Sequence, residues 1–383
     1  MTGSRSLADP ADFPASGQST YLNAASAALM YRGARQSAVE WQRELAENGT
    51  INFDETAEEA VFEDLHRAAA RLFNASPDDI AVATSVTELL CSLAWAVAPG
   101  PGTNVVSTRV VHPSTHYPWV RVSSFTGCEI RLAPATDGYA DPDALLGSID
   151  DRTAVVSISH AEFRTGQLYD LAHLADVAHA HGALLVVDAT QSAGAVPIDV
   201  SAAGVDALVS AGYKWLCGPF GAAVMYLAPH LQNELDPGLV GWRSHRDMWD
   251  LRADRLELPS GARRFEFSTM GYGCAAGLTR SIEFLVGAGI ERISAHNRRL
   301  ADLLVDVLRK QGAEIVSPLN ERERTSTVAA RFPGRDSAGI ASRLNAARVV
   351  VSSRGDVIRI SPHLYNAPDD IERVREELDR CLN

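Results

Sequence analysis

Lys214 follows Asp188 by 26 positions (214 − 188), and each stands in surroundings that suit it to joint chemistry. Asp188 ends the apolar run Ala183-Leu184-Leu185-Val186-Val187. That is the pattern of a parallel strand, buried on both faces, that delivers an acid to its C-terminal edge. Lys214 lies between Ser210-Ala211-Gly212-Tyr213 and the turn Gly218-Pro219. Small neighbours desolvate an ammonium in part, which lowers its pKa and makes the amine usable. A lone strand-end aspartate or a lone lysine is more often structural or solvated. Together they form a set that pyridoxal phosphate chemistry needs. The lysine forms the Schiff base, and the aspartate keeps the pyridine nitrogen protonated.

Other stretches hold groups of matching chemistry. Ala83-Thr84-Ser85-Val86-Thr87-Glu88 precedes the helical pattern Leu89–Val97, so a helix N-terminus with free N–H groups is offered to a phosphate. An ordinary N-cap by Thr84 or Ser85 fits the same residues. Val111-His112-Pro113-Ser114-Thr115-His116-Tyr117-Pro118-Trp119 carries two histidines. A flat imidazole restrains a cofactor ring and relays a proton near neutral pH; His116 fits better as a hydrogen-bonded loop histidine. Ile358-Arg359-Ile360-Ser361-Pro362-His363-Leu364-Tyr365-Asn366 puts an arginine on a strand, where guanidinium can hold a carboxylate bidentately. Arg354 stands nearby and reads equally as a surface loop charge. His173, His179 and His181 fit a polar helix face rather than a metal site, and there is no G-x-G-x-x-G.

The elements that must position these groups alternate. Strands are expected at Ile80–Ala83, Asn104–Ser107, Glu129–Leu132, Ala154–Ser159, Ala183–Asp188, Ala207–Ser210 and Ala222–Leu227, with amphipathic stretches between them. One of these, Leu171–His181, stops at Gly182 as a C′ residue. The pattern predicts an α/β fold with a mostly parallel seven-stranded sheet, its site at the strands' carboxyl ends. A long helix over about Ile282–Gln311 then leads into strands near Thr327–Phe332, Val349–Ser353 and Val357–Ser361, and a last helix begins at Pro368. The division is an arm over 1–20 joining the small domain, a large domain over 21–275 and a small α+β domain over 276–383.

From about Tyr21 to Asn366 these motifs resemble the class V aminotransferase family of fold type I pyridoxal-phosphate enzymes. That family includes cysteine desulfurases, kynureninases and isopenicillin-N-epimerase-like proteins. The resemblance implies pyridoxal 5′-phosphate as cofactor and Lys214, His112 and Asp188 as catalytic residues. His112, six residues before Pro118, would stack on the pyridine. Gln191 would reach the phenolic oxygen. The backbone of Val86 and the backbone and hydroxyl of Thr87 would hold the phosphate. Tyr213 would contact the phosphate or move a proton, and a buried structural tyrosine is as good an account of it. Within Arg263-Arg264-Phe265-Glu266-Phe267-Ser268-Thr269, Thr269 matches the hydroxyl given to a partner's phosphate, which implies a homodimer with shared sites. Arg359 matches the carboxylate-binding arginine, and Arg354 and Trp242 join it as candidate substrate contacts.

Departures narrow the reaction. Ser85-Val86 replaces the family's Gly-Thr, and Phe163 in Ile158-Ser159-His160-Ala161-Glu162-Phe163-Arg164-Thr165-Gly166 stands where desulfurases carry asparagine. The loop Val350-Val351-Ser352-Ser353-Arg354-Gly355-Asp356 has no cysteine, so persulfide-forming desulfurase activity is not expected. The expectation is a lyase-type reaction, C–S cleavage or β-elimination, on an amino acid of secondary metabolism. A class V aminotransferase or epimerase is the alternative, and a catalytically silent cofactor-binding protein is the alternative of another class.

Composition agrees with a soluble enzyme. The 383 residues are 46% hydrophobic and 22% charged, with a net charge of −13 that argues against nucleic acid and anionic membranes as partners. The five cysteines, at positions 91, 128, 217, 274 and 381, have no C-x-x-C spacing. Free thiols in a reducing cytoplasm are expected, with neither a disulfide framework nor a metal site. Residues 1–17 lack the apolar core of a signal peptide, and no run has the length of a membrane span.

Overall fold

The computed structural model describes residues 5–382, so the first four residues of the expected arm and residue 383 lie outside the described residues. Its centre is a seven-stranded sheet in the order Ile80–Ala83, Ala223–Leu227, Ala207–Ala211, Leu184–Asp188, Thr153–Ser159, Asn104–Thr108, Glu129–Ala133. All neighbours are parallel except Ala223–Leu227, which runs antiparallel to both of its own. Each expected strand is present to within a residue or so at its ends.

Both faces of the sheet are covered, and successive side chains show it. Leu185 and Val187 enter a core with the helices Glu63–Phe73, Leu171–Ala180 and Tyr272–Ala288. Val186 enters the opposite core, with Val86–Val97 and Pro113–Thr126. Period-two alternation between two apolar cores is why the strand reads as an unbroken hydrophobic run. Register sets Asp188 beside Ser159 and Val209, at the carboxyl edge of the sheet. Leu171–Ala180 ends as expected, with Gly182 at φ 75° and Ala183 N–H bonded to Ala178 O.

The expected helix Ile282–Gln311 is instead two helices, Tyr272–Ala288 and Ile290–Lys310. Gly289 between them adopts φ 87°, a left-handed turn that a helix cannot continue through. The first helix buries Leu278, Ile282 and Leu285 against the large sheet, while the second buries Leu300, Leu304 and Leu308 in a separate core. Residue 275 thus lies within the first helix, and the second still contributes Ile290 and Ile293 to the large core before Leu300 enters the other.

The small domain holds a four-stranded antiparallel sheet, Glu314–Ile315, Val328–Arg331, Val357–Ile360, Ser352–Arg354. Its core is closed by Ser337–Ala346 and Pro368–Leu382. The single strand expected over Val349–Ser353 splits. Val349–Val350 pairs in parallel with Thr20–Tyr21, and Ser352–Arg354 joins the sheet. Val351 between them donates its N–H to Asn345 Oδ1 rather than to a strand. The N-terminal segment ties the domains together. Leu22 lies in the small-domain core, and Phe13 packs on Phe284 and Tyr365 in the large one. Among the described residues no helix is long and apolar enough to cross a membrane.

Candidate active site

Parallel strands and the turns that follow them converge on a cavity at the carboxyl edge of the large sheet. Val86, Thr87, His112, Asp188, Gln191, Tyr213 and Lys214 all line it. Seven of the residues singled out in the sequence, drawn from four separate stretches, thus meet in one place.

Lys214 is 9% exposed. Burial pushes its pKa down to about 8, against a Coulombic pull upward from Asp188 and with Arg359 and Arg354 adding to the depression. A substantial share of the amine is therefore neutral near physiological pH. Asp188 is held in place from two sides: Thr115 Oγ1 donates to Oδ2 at 2.8 Å and Thr190 N–H to Oδ1 at 2.9 Å. The two bonds fix the orientation of the carboxylate, as a partner for a pyridinium nitrogen requires.

His112 is the N-cap of Pro113–Thr126, and its Nδ1 accepts the Ser114 N–H at 3.3 Å. In the neutral ring the proton then sits on Nε2. Burial and the Lys214 charge lower its pKa, opposed by Asp188. Phe163 packs edge-on against the imidazole with centroids 5.3 Å apart. His116, expected as a hydrogen-bonded loop residue, lies on the helix instead. It is 8% exposed, and its Nδ1 has no hydrogen-bond partner among the described residues.

Ser85 caps the helix Val86–Val97 by accepting the Glu88 N–H at 3.2 Å, and Glu88 returns a bond to Thr84 N–H at 3.0 Å. Val86 and Thr87, at the N-terminus that this pair caps, line the cavity, where the helix dipole favours an anion. The N-cap and the phosphate assignments from the sequence are thus compatible. Gln191 is partly committed, since Oε1 accepts from Trp215 Nε1 at 2.9 Å and Nε2 donates to Ala25 O at 3.0 Å. The second Nε2 proton is left for a ligand. Tyr213 stacks on Phe220, centroids 4.3 Å apart, and burial raises its hydroxyl pKa.

Arg359 is 1% exposed and rises from the small-domain strand toward the same cleft. Its Nη1 donates to Phe163 O at 2.5 Å, its Nη2 to Ser26 Oγ at 2.5 Å and its Nε to Ser352 Oγ at 3.2 Å. Arg354 donates to the same Ser26 Oγ at 3.0 Å. Thr269 and Trp242 are not in this cavity. Trp242 Nε1 donates to Thr269 Oγ1 at 3.2 Å, and Trp242 packs on Trp249 with ring centroids 5.5 Å apart. Trp242 and Thr269 thus pair with each other, apart from the residues that line the cavity.

The residues fit pyridoxal phosphate. An aspartate without a cationic hydrogen-bond partner, a desolvated amine, and two free helix N–H groups match its pyridine nitrogen, aldehyde and phosphate. Four contributors escaped the sequence: Thr115 and Thr190 behind Asp188, Ser26 between the arginines, and Glu162. Glu162 is buried, with its pKa pushed up to about 7 by desolvation, and accepts from Tyr169 Oη at 3.0 Å and Thr108 Oγ1 at 3.2 Å. The signal for Glu162 was present, since a charged residue within Ile158–Gly166 has no polar face to occupy.

The family model for aminotransferase class V matches residues 20–374. Isopenicillin N epimerase of Streptomyces clavuligerus is 30% identical over 81% of this chain and 82% of its own length. The uncharacterized aminotransferase YcbU of Bacillus subtilis is 26% identical over 96% and 95%. In three dimensions the chain is similar to apo cysteine desulfurase from Thermococcus onnurineus NA1, with a TM-score of 0.89 at 22% identity, covering 100% and 99% of the two chains.

Proposed function

The chain belongs to the class V aminotransferase family, and from that premise we propose that it is a lyase cleaving the Cβ–S or a similar Cβ bond of an amino acid by β-elimination. Its cofactor is pyridoxal 5′-phosphate. The observation that carries the proposal is the buried Lys214 amine, with its pKa near 8, in one cavity with Asp188. When bound, the cofactor supplies an electron sink that acidifies the Cα proton. Lys214 Nζ takes that proton, Asp188 holds the proton on the ring nitrogen, and Arg359 binds the α-carboxylate. His112, which lines the same cavity, would give the leaving thiolate its proton from Nε2–H. The Cβ–S pair leaves with the thiol, and water then converts the remaining fragment to a keto acid and ammonia. A place in secondary metabolism is part of the same proposal.

Against a persulfide-forming reaction stands the loop over 350–356, which folds into the hairpin at Ser352–Arg354 and contains no cysteine. Kinship lends that exclusion no support, because the solved neighbour is itself a cysteine desulfurase. Keto acid, ammonia and thiol should appear together when the holoenzyme meets cysteine S-conjugates. The lyase assignment is lost if none of these conjugates yields them while another substrate class turns over. The 30% identity to an epimerase favours racemisation at Cα as the second reading. Exchange of the Cα proton with solvent, without thiol release, would establish it.

Two further outcomes follow from the site. Only the neutral amine captures the cofactor's aldehyde, so the rate at which the visible band forms on adding pyridoxal phosphate to apoprotein should rise with pH and level off above about 8. An ordinary lysine would still be gaining at pH 10. We also propose a homodimer, with Thr269 and Trp242 serving the partner's site, since both lie outside the cavity of their own chain. Light scattering should then return about twice 41.1 kDa.

A further inference from the structure

We propose that Arg354 forms a second anion pocket, so that the substrate is an amino acid whose side chain ends in a carboxylate or another acidic group. This rests on the proposed function, in which Arg359 takes the α-carboxylate.

Two guanidiniums share one hydroxyl. Ser26 Oγ accepts from Arg359 Nη2 at 2.5 Å and from Arg354 Nη2 at 3.0 Å. Every other acceptor they use is neutral: Phe163 O, Ser352 Oγ and Ser353 O. Among the described residues neither arginine has a carboxylate partner. The acid nearest in sequence, Asp356, is taken by Arg164 at 2.5 Å and by Arg331 at 3.3 Å. Two cations held this close repel, and Arg354 adds to the depression of the Arg359 pKa that burial begins. A fold tolerates such a pair when anions arrive to balance it.

One carboxylate balances one arginine. The two guanidiniums also sit at different depths, Arg359 fully buried and Arg354 half-buried at the end of the hairpin. Both lie near enough for their charge to bear on the Lys214 amine. The deep one is placed for the carboxylate attached to Cα, and the shallower one for a group several bonds out along the side chain. Arginine suits this role because its fork recognises planar carboxylates and keeps its charge at any working pH.

The test uses holoenzyme and two acids that carry no amino group, glutarate and butyrate, followed by calorimetry at low salt. Glutarate should bind at least about tenfold more tightly than butyrate, the size of one charge-assisted hydrogen bond. Arg354→Gln should bring that ratio to about one, and Arg354→Lys, which keeps the charge without the fork, should leave an intermediate ratio. The proposal is overturned by a wild-type ratio below about two, or by a ratio that survives in Arg354→Gln. Neither acid can react, so the ratio is measured without turnover. A failed lyase assay and a failed anion pocket are thereby told apart.

Discussion

Lys214→Ala should lose at least about 10³-fold in turnover of every amino-acid substrate, while the chain stays folded. The loss follows from removing both the covalent anchor of the cofactor and the base nearest Cα. Folding survives because two costs nearly cancel. An amine whose pKa falls from the ordinary lysine value to about 8 on folding is one the native state resists protonating. The unfolded chain then holds the proton more tightly than the folded one. That penalty is present in full below about pH 8 and disappears as pH rises past the unfolded value. At pH 7 it amounts to roughly 3 kcal/mol, which alanine removes. Against it stands the lost burial of three methylenes, about 2 kcal/mol. The apoprotein's Tm should therefore shift by only a few degrees at pH 7, and the variant should release its cofactor on dialysis. Full activity in this variant would return Lys214 to a structural role. A cellular effect that persists without turnover would point to a silent, cofactor-binding protein.

What the sequence revealed and what it hid divide along contact range. Asp188 was legible because its strand is buried on both faces, so five apolar residues in a row announce both the strand and its end. Lys214 was legible through its small neighbours. The break at Gly289 was missed because the apolar periodicity of Tyr272–Ala288 continues into Ile290–Lys310, and only the glycine's φ of 87° separates them. The split at Val351 was missed for a similar reason: its β-branched run looks continuous until Asn345 claims the N–H. The hidden site residues are those whose partners are remote. Thr115 reaches Asp188 across 73 positions, and Ser26 reaches Arg354 and Arg359 across 328 and 333. A threonine on a helix and a serine in a loop carry no local mark of such a task. The arginines themselves could be named in advance, but the hydroxyl that joins them required the fold.

Arg359→Gln should lower kcat/KM by about 10² to 10³, mostly through KM. Truncating one partner of a buried, charge-assisted carboxylate contact costs on the order of 3–4 kcal/mol, and an interaction made equally in the ground and transition states appears in KM. Burial already pushes the Arg359 pKa down to about 9, so the protein sustains a poorly solvated cation here for a ligand to complete. The same side chain also fixes the Phe163 carbonyl, and Phe163 packs edge-on against the His112 ring. A second effect is therefore expected. The glutamine variant should show a modest fall in kcat as His112 loses its neighbour's support, with cofactor binding intact because neither Val86, Thr87 nor Asp188 touches Arg359. Arg359→Lys separates the two roles. Lysine keeps the charge and one contact but not the fork, so KM should recover in part while the Phe163 carbonyl stays unpaired and kcat remains low. If instead the glutamine variant keeps kcat/KM within about fivefold of wild type, the α-carboxylate is held elsewhere. Arg359 would then be a strut for the Phe163 loop, and the two arginines on Ser26 would need another occupant.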